Sequence, residues 1–273
     1  MDTEALFGTA TPVVGMVHLP PLPGAPRFDA AAGRDALHEA ARQDATRLAD
    51  GGVDAVMIEN FGDAPFYPDD VPDHTVAELT ALAGTVGRAV DLPVGVNVLR
   101  NDATAAVSVA AAAGADFVRV NVHVGARVTD QGLLEGRAHE TARLRERIDA
   151  DVAVLADVDV KHSAPLAAGE YEAESLAEST ERGLADGVIV SGERTGRPTD
   201  AAAVERVVAR RDDLGTGVPV FVGSGVTPET VGDLLAVADG AIVGTALKRD
   251  GETTNPVSIE RVEALVAAAD RVR

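Results

Sequence analysis

The sequence predicts a single (β/α)8 barrel over residues 1–273, on three observations. Short Val/Ile-rich runs alternate eight times with longer Ala/Arg/Glu-rich amphipathic stretches, the pattern of parallel strands joined by crossover helices. Eight such units in 273 residues fit a closed barrel better than an open doubly wound sheet. The last run also has its own closing helix, so nothing is left over for a second domain.

The strand runs lie at 12–17 (PVVGMV), 53–59 (VDAVMIE), 93–98 (PVGVNV), 116–122 (DFVRVNV), 152–160 (VAVLADVDV), 187–191 (GVIVS), 218–223 (VPVFVG) and 239–244 (DGAIVG). Their apolar continuity suits strands buried on both faces. Helical patterns occupy 34–50, 74–90, 102–113, 136–149, 172–184, 199–211, 228–237 and 258–272. Several strands are entered through Gly/Ala/Asp turns (GGVDAV, AGADFV, LADGVIV), where glycine ends the preceding helix. Aromatics make up only 3% and Trp and Cys are absent, so the core is Val, Ala, Leu and Ile, with no disulfide, thiolate metal site or cysteine nucleophile.

The chain carries 44 acids against 24 bases, a formal charge of −20. Of the bases only Lys161 and Lys248 are lysines. Dispersed acids with almost no lysine predict a salt-adapted, halophilic protein, and a field of that sign excludes nucleic-acid binding through basic patches. The opening MDTEALFGTATP has neither a basic start nor an apolar h-region, and no run reaches membrane-span length. The expectation is a soluble cytoplasmic protein.

Barrel active sites form at the C-terminal ends of the strands. In VLADVDVKH, Asp157, Asp159 and Lys161 fall at every second position and so share one face of the fifth strand. Glu59 and Asn60 end the second strand, Asn97 lies on the third and leads to Arg100, and RVNVH gives Arg119, Asn121 and His123 the same parity on the fourth. Glu59, Asn97, Arg119, Asn121, His123, Asp157, Asp159 and Lys161 are expected to converge, with Arg119 and Lys161 offsetting Glu59, Asp157 and Asp159, because an unpaired buried charge is costly. Lys161, Asp159, Asp157, Glu59 and His123 are the catalytic candidates; Asn97, Arg119, Asn121 and His18 are expected to orient substrate. A salt-bridge plug is the plainer alternative for these groups. A lysine among them has the chemistry of a base, a proton carrier or an imine-forming amine.

Small residues end the last three strands: Ser191-Gly192, Gly223-Ser224-Gly225 and Gly244-Thr245. Such turns let backbone N–H groups approach an anion, and the loops after strands seven and eight are this fold's recurring phosphate site. Thr227-Pro228 marks a helix start. Loop one, HLPPLPGAPRF, reads as a stiff flap; loop two, FGDAPFYPDDVPDHT, holds most of the scarce aromatics (Phe61, Phe66, Tyr67); loop four, GARVTDQGLLEG, reads as a lid. Glu59, His123, Asp157, Asp159 and His162 are metal-compatible types, so a divalent cation is compatible with the chain, though no cofactor is required and no motif spacing calls for one.

VVGMVHLPPLPGAPRF, IENFGDAPF, GVNVLRND, RVNVHVGARVTDQGLLEG, ADVDVKHSAP, ADGVIVSGERTG, VPVFVGSGVTPETV and ADGAIVGTALKRDG together resemble the BtpA family, from about residue 7 to 270. The resemblance implies a barrel of the ribulose-phosphate-binding type. The family is named for a cyanobacterial factor needed for photosystem I accumulation; other members lie among sugar-metabolism genes, some labelled phosphoribosylanthranilate isomerase. That enzyme's usual acid/base pair includes a cysteine near the first strand, which this chain lacks. The leading expectation is an enzyme acting on a phosphorylated sugar or phosphoribosyl compound, an isomerase, epimerase or aldol-type lyase, forming a homo-oligomer. The alternatives are a non-enzymatic assembly factor and a flavin-binding barrel with the same phosphate turns.

Overall fold

In the computed structural model, residues 1–158, 163–166, 175–192 and 201–273 are described. In chain order the strands are β1 (Val13–His18), β2 (Ala55–Glu59), β3 (Val94–Asn97), β4 (Phe117–Val120), β5 (Ala126–Thr129) and β6 (Gly132–Glu135). They continue as β7 (Ala153–Asp157), β8 (Ser163–Pro165), β9 (Gly187–Ser191), β10 (Val220–Gly223) and β11 (Gly240–Val243). Eight of them close a parallel barrel in the order β1-β11-β10-β9-β7-β4-β3-β2, while β6-β5-β8 form a small antiparallel sheet. The expected fold class is the one found. Among the described residues no helix is long and apolar enough to cross a membrane.

The period-2 rule sorts the barrel residues into two cores. Val14, Met16, Ala55, Met57, Phe117, Leu155, Ile189, Phe221 and Ile242 form the interior cluster. Their sequence neighbours Val13, Val17, Val56, Val118, Val154 and Val222 join the larger cluster under the helices. Those helices include α2 (Gly33–Asp50), α3 (Asp73–Ala89), α4 (Ala103–Ala113) and α5 (Ala138–Arg147). A π-helical stretch, Glu178–Arg182, precedes β9, and the helix Ile259–Ala269 follows β11. Glycine is needed on the interior wall where a large ring passes: a Cβ on Gly240 would meet Phe221 Cε1 at 2.6 Å.

Below the interior cluster a short helix, Thr3–Phe7, closes the barrel floor. Asp2 caps it by accepting from the Ala5 amide at 3.2 Å. Its Phe7 ring meets Phe117 and Phe221 edge-on, with centroids 5.5 and 6.0 Å away. Burying such a ring contributes roughly 1.5–3 kcal/mol, and the edge-on geometry suits the ring quadrupoles. The sequence patterns gave no strand or barrel helix here, so this floor plug was not anticipated.

The Gly/Ala/Asp turns do more than stop helices. Asp54, Asp116, Asp186 and Asp239 each accept an amide at the start of a neighbouring strand, from Val13, Val94, Val154 and Val220, all at 2.8 Å. These acids stand before β2, β4, β9 and β11, alternate strands of the cylinder. Arg273, Arg145 and Arg211 add ion pairs to Asp54, Asp186 and Asp239. The end of the barrel opposite the mouth is thus stitched by one repeated carboxylate–amide contact.

Lys248 is not a mouth residue. Its side chain is fully buried and its Nζ lies 2.9 Å from Asp44 Oδ2, on α2. Burial draws the ammonium below its ordinary pKa while Asp44 pulls the other way. The other Asp44 oxygen accepts the Val257 amide at 2.9 Å. The lysine tethers the segment after β11 to the helix layer.

Candidate active site

The interior stripe of each strand turns polar at its C-terminal end. His18, Glu59, Asn97, Arg119, Asp157, Ser191 and Gly223 continue the inward parity of the apolar layers beneath them. A cavity of about 870 Å³ opens above, lined among others by His18, Glu59, Arg100, Arg119, Asn121 and Asp157.

Its floor is a closed ionic network. Arg119 donates to both oxygens of Asp157, Nε to Oδ1 at 3.1 Å and Nη2 to Oδ2 at 2.9 Å. Asn121 Nδ2 donates to Asp157 Oδ2 at 2.9 Å. Asn97 lies one level down, its Nδ2 donating to the Arg119 carbonyl at 2.9 Å and to Asn121 Oδ1 at 3.3 Å. The weakest contact of the set is Arg119 Nη2 to Ser191 Oγ at 3.4 Å. Burial would lower the Arg119 pKa, but the charge and hydrogen bonds of Asp157, with Glu59, raise it above its ordinary range. Arg100, from the loop after β3, lines the same cavity; burial outweighs the pull of Asp157 and Glu59 and lowers its pKa.

Glu59 and His18 end adjacent strands in register. Glu59 Oε1 and His18 Nε2 stand 3.9 Å apart, and the His18 ring tilts against Phe61 with centroids 5.0 Å apart. Loops one and two are clamped over this corner. The Leu22 amide donates to Asp63 Oδ1 at 2.7 Å, Asn60 Nδ2 reaches Asp63 Oδ2 at 3.1 Å, and the Gly62 amide meets the Leu19 carbonyl at 3.0 Å. Residue 62 must be glycine, because a Cβ there would overlap the Pro20–Pro21 backbone. Arg137 pins loop two from outside through Asp69 and Asp70, at 2.7 and 3.0 Å.

Across the barrel lie the small-residue turns. Ser224, Gly225, Gly244 and Thr245 line the cavity. Ser224 and Gly225 both have positive φ, 117° and 62°. The amides of Gly225, Val226, Thr245 and Ala246 donate to no loop or side-chain acceptor among the described residues. Gly244 has no room for a side chain, since a Cβ would meet His18 Cε1 at 2.7 Å.

Not every expected residue arrives. Asp159, Lys161 and His162 lie outside the described residues, and β7 is assigned only to Asp157. His123 does not join the cavity. β4 stops at Val120, the alternation lapses, and His123 Nε2 instead meets the Gly183 carbonyl at 2.8 Å. Ser191, Gly192, Gly223 and Asn97 lie outside the lining, and the Gly192 amide is already engaged by Ser224 Oγ at 2.9 Å. The expected helix at 228–237 begins only at Val231, after a Thr227–Thr230 turn. Loop four is a β5–β6 hairpin, and its tip residues Asp130 and Gln131 reach the cavity wall. Sequence reasoning missed that pair and gave Arg100 no role; no local pattern marks a hairpin tip as reaching a distant mouth. Among the described residues no group of three or more His, Asp or Glu is placed to hold a metal ion.

Burial holds the His123 imidazole below its ordinary 6.5, the Gly183 bond pulling up without prevailing. A group with a depressed histidine pKa binds its proton more readily when unfolded, so stability falls as pH drops from about 6.5 toward the folded value. His123→Gln keeps a donor for Gly183 and removes the titration. The stability gap between parent and variant, from urea melts, should shift steadily in the variant's favour across that window; a pH-independent gap would refute the burial argument.

Together, the closed cylinder and a polar cavity at its C-terminal mouth define a (β/α)8-barrel protein with a small-molecule-sized site. The chain matches the BtpA family model over residues 9–271 and belongs to that family. It is 48% identical over 262 residues to an uncharacterized protein of Thermococcus kodakarensis, covering 96% of each chain. It is 43% identical to the photosystem I biogenesis protein BtpA of Synechocystis, covering 98% of this chain and 91% of that one. Among solved structures it is similar to N-(5′-phosphoribosyl)anthranilate isomerase of Pyrococcus furiosus, with a TM-score of 0.58, 15% identity and coverage of 96% and 100%. It is also similar to tryptophan synthase of Mycobacterium tuberculosis, with a TM-score of 0.61, 18% identity and coverage of 95% and 93%. At such identities the likeness is one of fold.

Proposed function

We propose that this chain is an enzyme that binds a phosphorylated sugar or phosphoribosyl compound and moves a proton on it, as an isomerase, epimerase or aldol-type lyase. The observation that carries the reading is one cavity with two chemically opposite walls. Small-residue turns with undirected amides after β10 and β11 suit a phosphate. Carboxylates and guanidinium groups at the ends of β2, β4 and β7 suit proton transfer and charge stabilisation beside it. Glu59, at the cavity wall beside His18, is the best-placed described base; Lys161 and Asp159 keep the roles expected from sequence. His18 would orient Glu59, and Asn121 and Arg119 would position substrate. The scheme requires no cofactor, and a divalent cation is to be titrated as a variable.

The acid excess calls for assays in molar KCl. Ribose 5-phosphate should raise the melting temperature there and free ribose should not, since a ligand at about 100 times its Kd adds roughly 2.7 kcal/mol. Thr245→Glu, which puts a carboxylate in the anion's place, should abolish the shift. Incubating ribulose 5-phosphate with the enzyme in D2O should exchange a carbon-bound proton, and Glu59→Gln should slow that exchange at least 100-fold. No phosphate-dependent shift would end this reading.

A second reading, a partner-binding assembly factor, draws on the relative named for photosystem I biogenesis. Exposed Val128 and Leu133 face each other on the small sheet, with exposed Leu166 nearby, and offer it a surface. Light scattering would separate self-association from a monomer awaiting another protein.

A further inference from the structure

We infer that the ligand carries, beyond its phosphorylated sugar, a planar ring presenting N–H donors, held by Phe61, Phe66 and the β5–β6 hairpin tip; this rests on the phosphate reading above.

Size comes first. A cavity of about 870 Å³ stands near the top of the range of small-ligand pockets, about 300–1,000 Å³. That exceeds what a five-carbon sugar phosphate needs. Aromatic placement comes second. The chain has six Phe and no Trp, and Phe7, Phe117 and Phe221 are spent in the barrel interior. Phe61 and Phe66 instead line the cavity, half-buried. Flat apolar walls of this kind favour a π-face.

Third is a directed acceptor. Gln131 Nε2 donates to Asp130 Oδ2 at 2.6 Å. A carboxylate only accepts, so this contact fixes which end of the amide is nitrogen. Asp130 itself lines the cavity, so a carboxylate oriented in this way offers acceptor oxygens to a donor on the ligand. In the barrel order β1-β11-β10-β9-β7-β4-β3-β2, the hairpin following β4 rises opposite the turns after β10 and β11. A ligand spanning the mouth would have phosphate on one side, ring on the other, and its sugar above Glu59 and Asp157.

Calorimetry in molar KCl with ribose 5-phosphate, guanosine 5′-monophosphate and purine riboside 5′-monophosphate tests this, the last having the fused ring without the donor edge. Guanosine monophosphate should bind at least 10-fold tighter than ribose 5-phosphate and several-fold tighter than the purine riboside. Phe66→Ala should erase the first advantage without changing the ribose 5-phosphate affinity. Asp130→Ala, at the exposed hairpin tip, should erase the second. If ribose 5-phosphate binds and guanosine monophosphate binds no better, the ring inference is wrong and the phosphate reading stands. If no phosphorylated compound binds, both fall together.

Discussion

Lys248→Met is expected to lower the melting temperature by on the order of 10 °C. The ammonium and its partner Asp44 are both buried, and removing one member of such a pair leaves the other charge uncompensated at a cost of about 3–5 kcal/mol. In a domain of this size each kcal/mol shifts the midpoint by roughly 2–4 °C. The cost should be mostly electrostatic, because methionine fills a similar volume. Adding Asp44→Asn removes the stranded carboxylate and keeps an oxygen for the Val257 amide. The double variant should therefore recover most of the loss in a thermal melt. A double variant as unstable as the single one would show that shape, not charge, holds this segment.

Asp157→Ala is expected to be as damaging to stability and more damaging to function. It leaves the Arg119 guanidinium buried with three hydrogen bonds removed from the network. The penalty is again about 3–5 kcal/mol. Freed from its partner, Arg119 should swing, and ligand affinity should fall at least 10-fold. Arg119→Met/Asp157→Leu replaces the pair by apolar groups and should regain stability without regaining ligand binding. That split separates the network's structural share from its role at the mouth. Recovery of binding in the double variant would show the ion pair to be a plug.

The barrel and its inward-facing stripe were legible because strand alternation is local. Once Val14, Met16 and His18, or Phe117 and Arg119, fall on one parity, closure brings them to the same interior. The limits have the same origin. His123 shares that parity in sequence, but the strand ends at Val120 and the rule lapses with it. Lys248 was singled out for its rarity, yet its burial against Asp44, about two hundred positions earlier, is a tertiary fact. Asp130 and Gln131 reach the cavity only because a hairpin folds back, which no periodicity encodes. The turn glycines after β10 and β11 were recognisable as a set, but which amides remained undirected depended on hydroxyls such as Ser224 Oγ.

The four aspartates that each grip an amide at the start of a neighbouring strand sit at the far pole from the cavity. A cylinder hooped at its base in this way can tolerate rewriting at its rim. Loops one, two and the hairpin could be exchanged for others while the staves stay in register, so new ligand preferences are reachable without first reinventing the vessel.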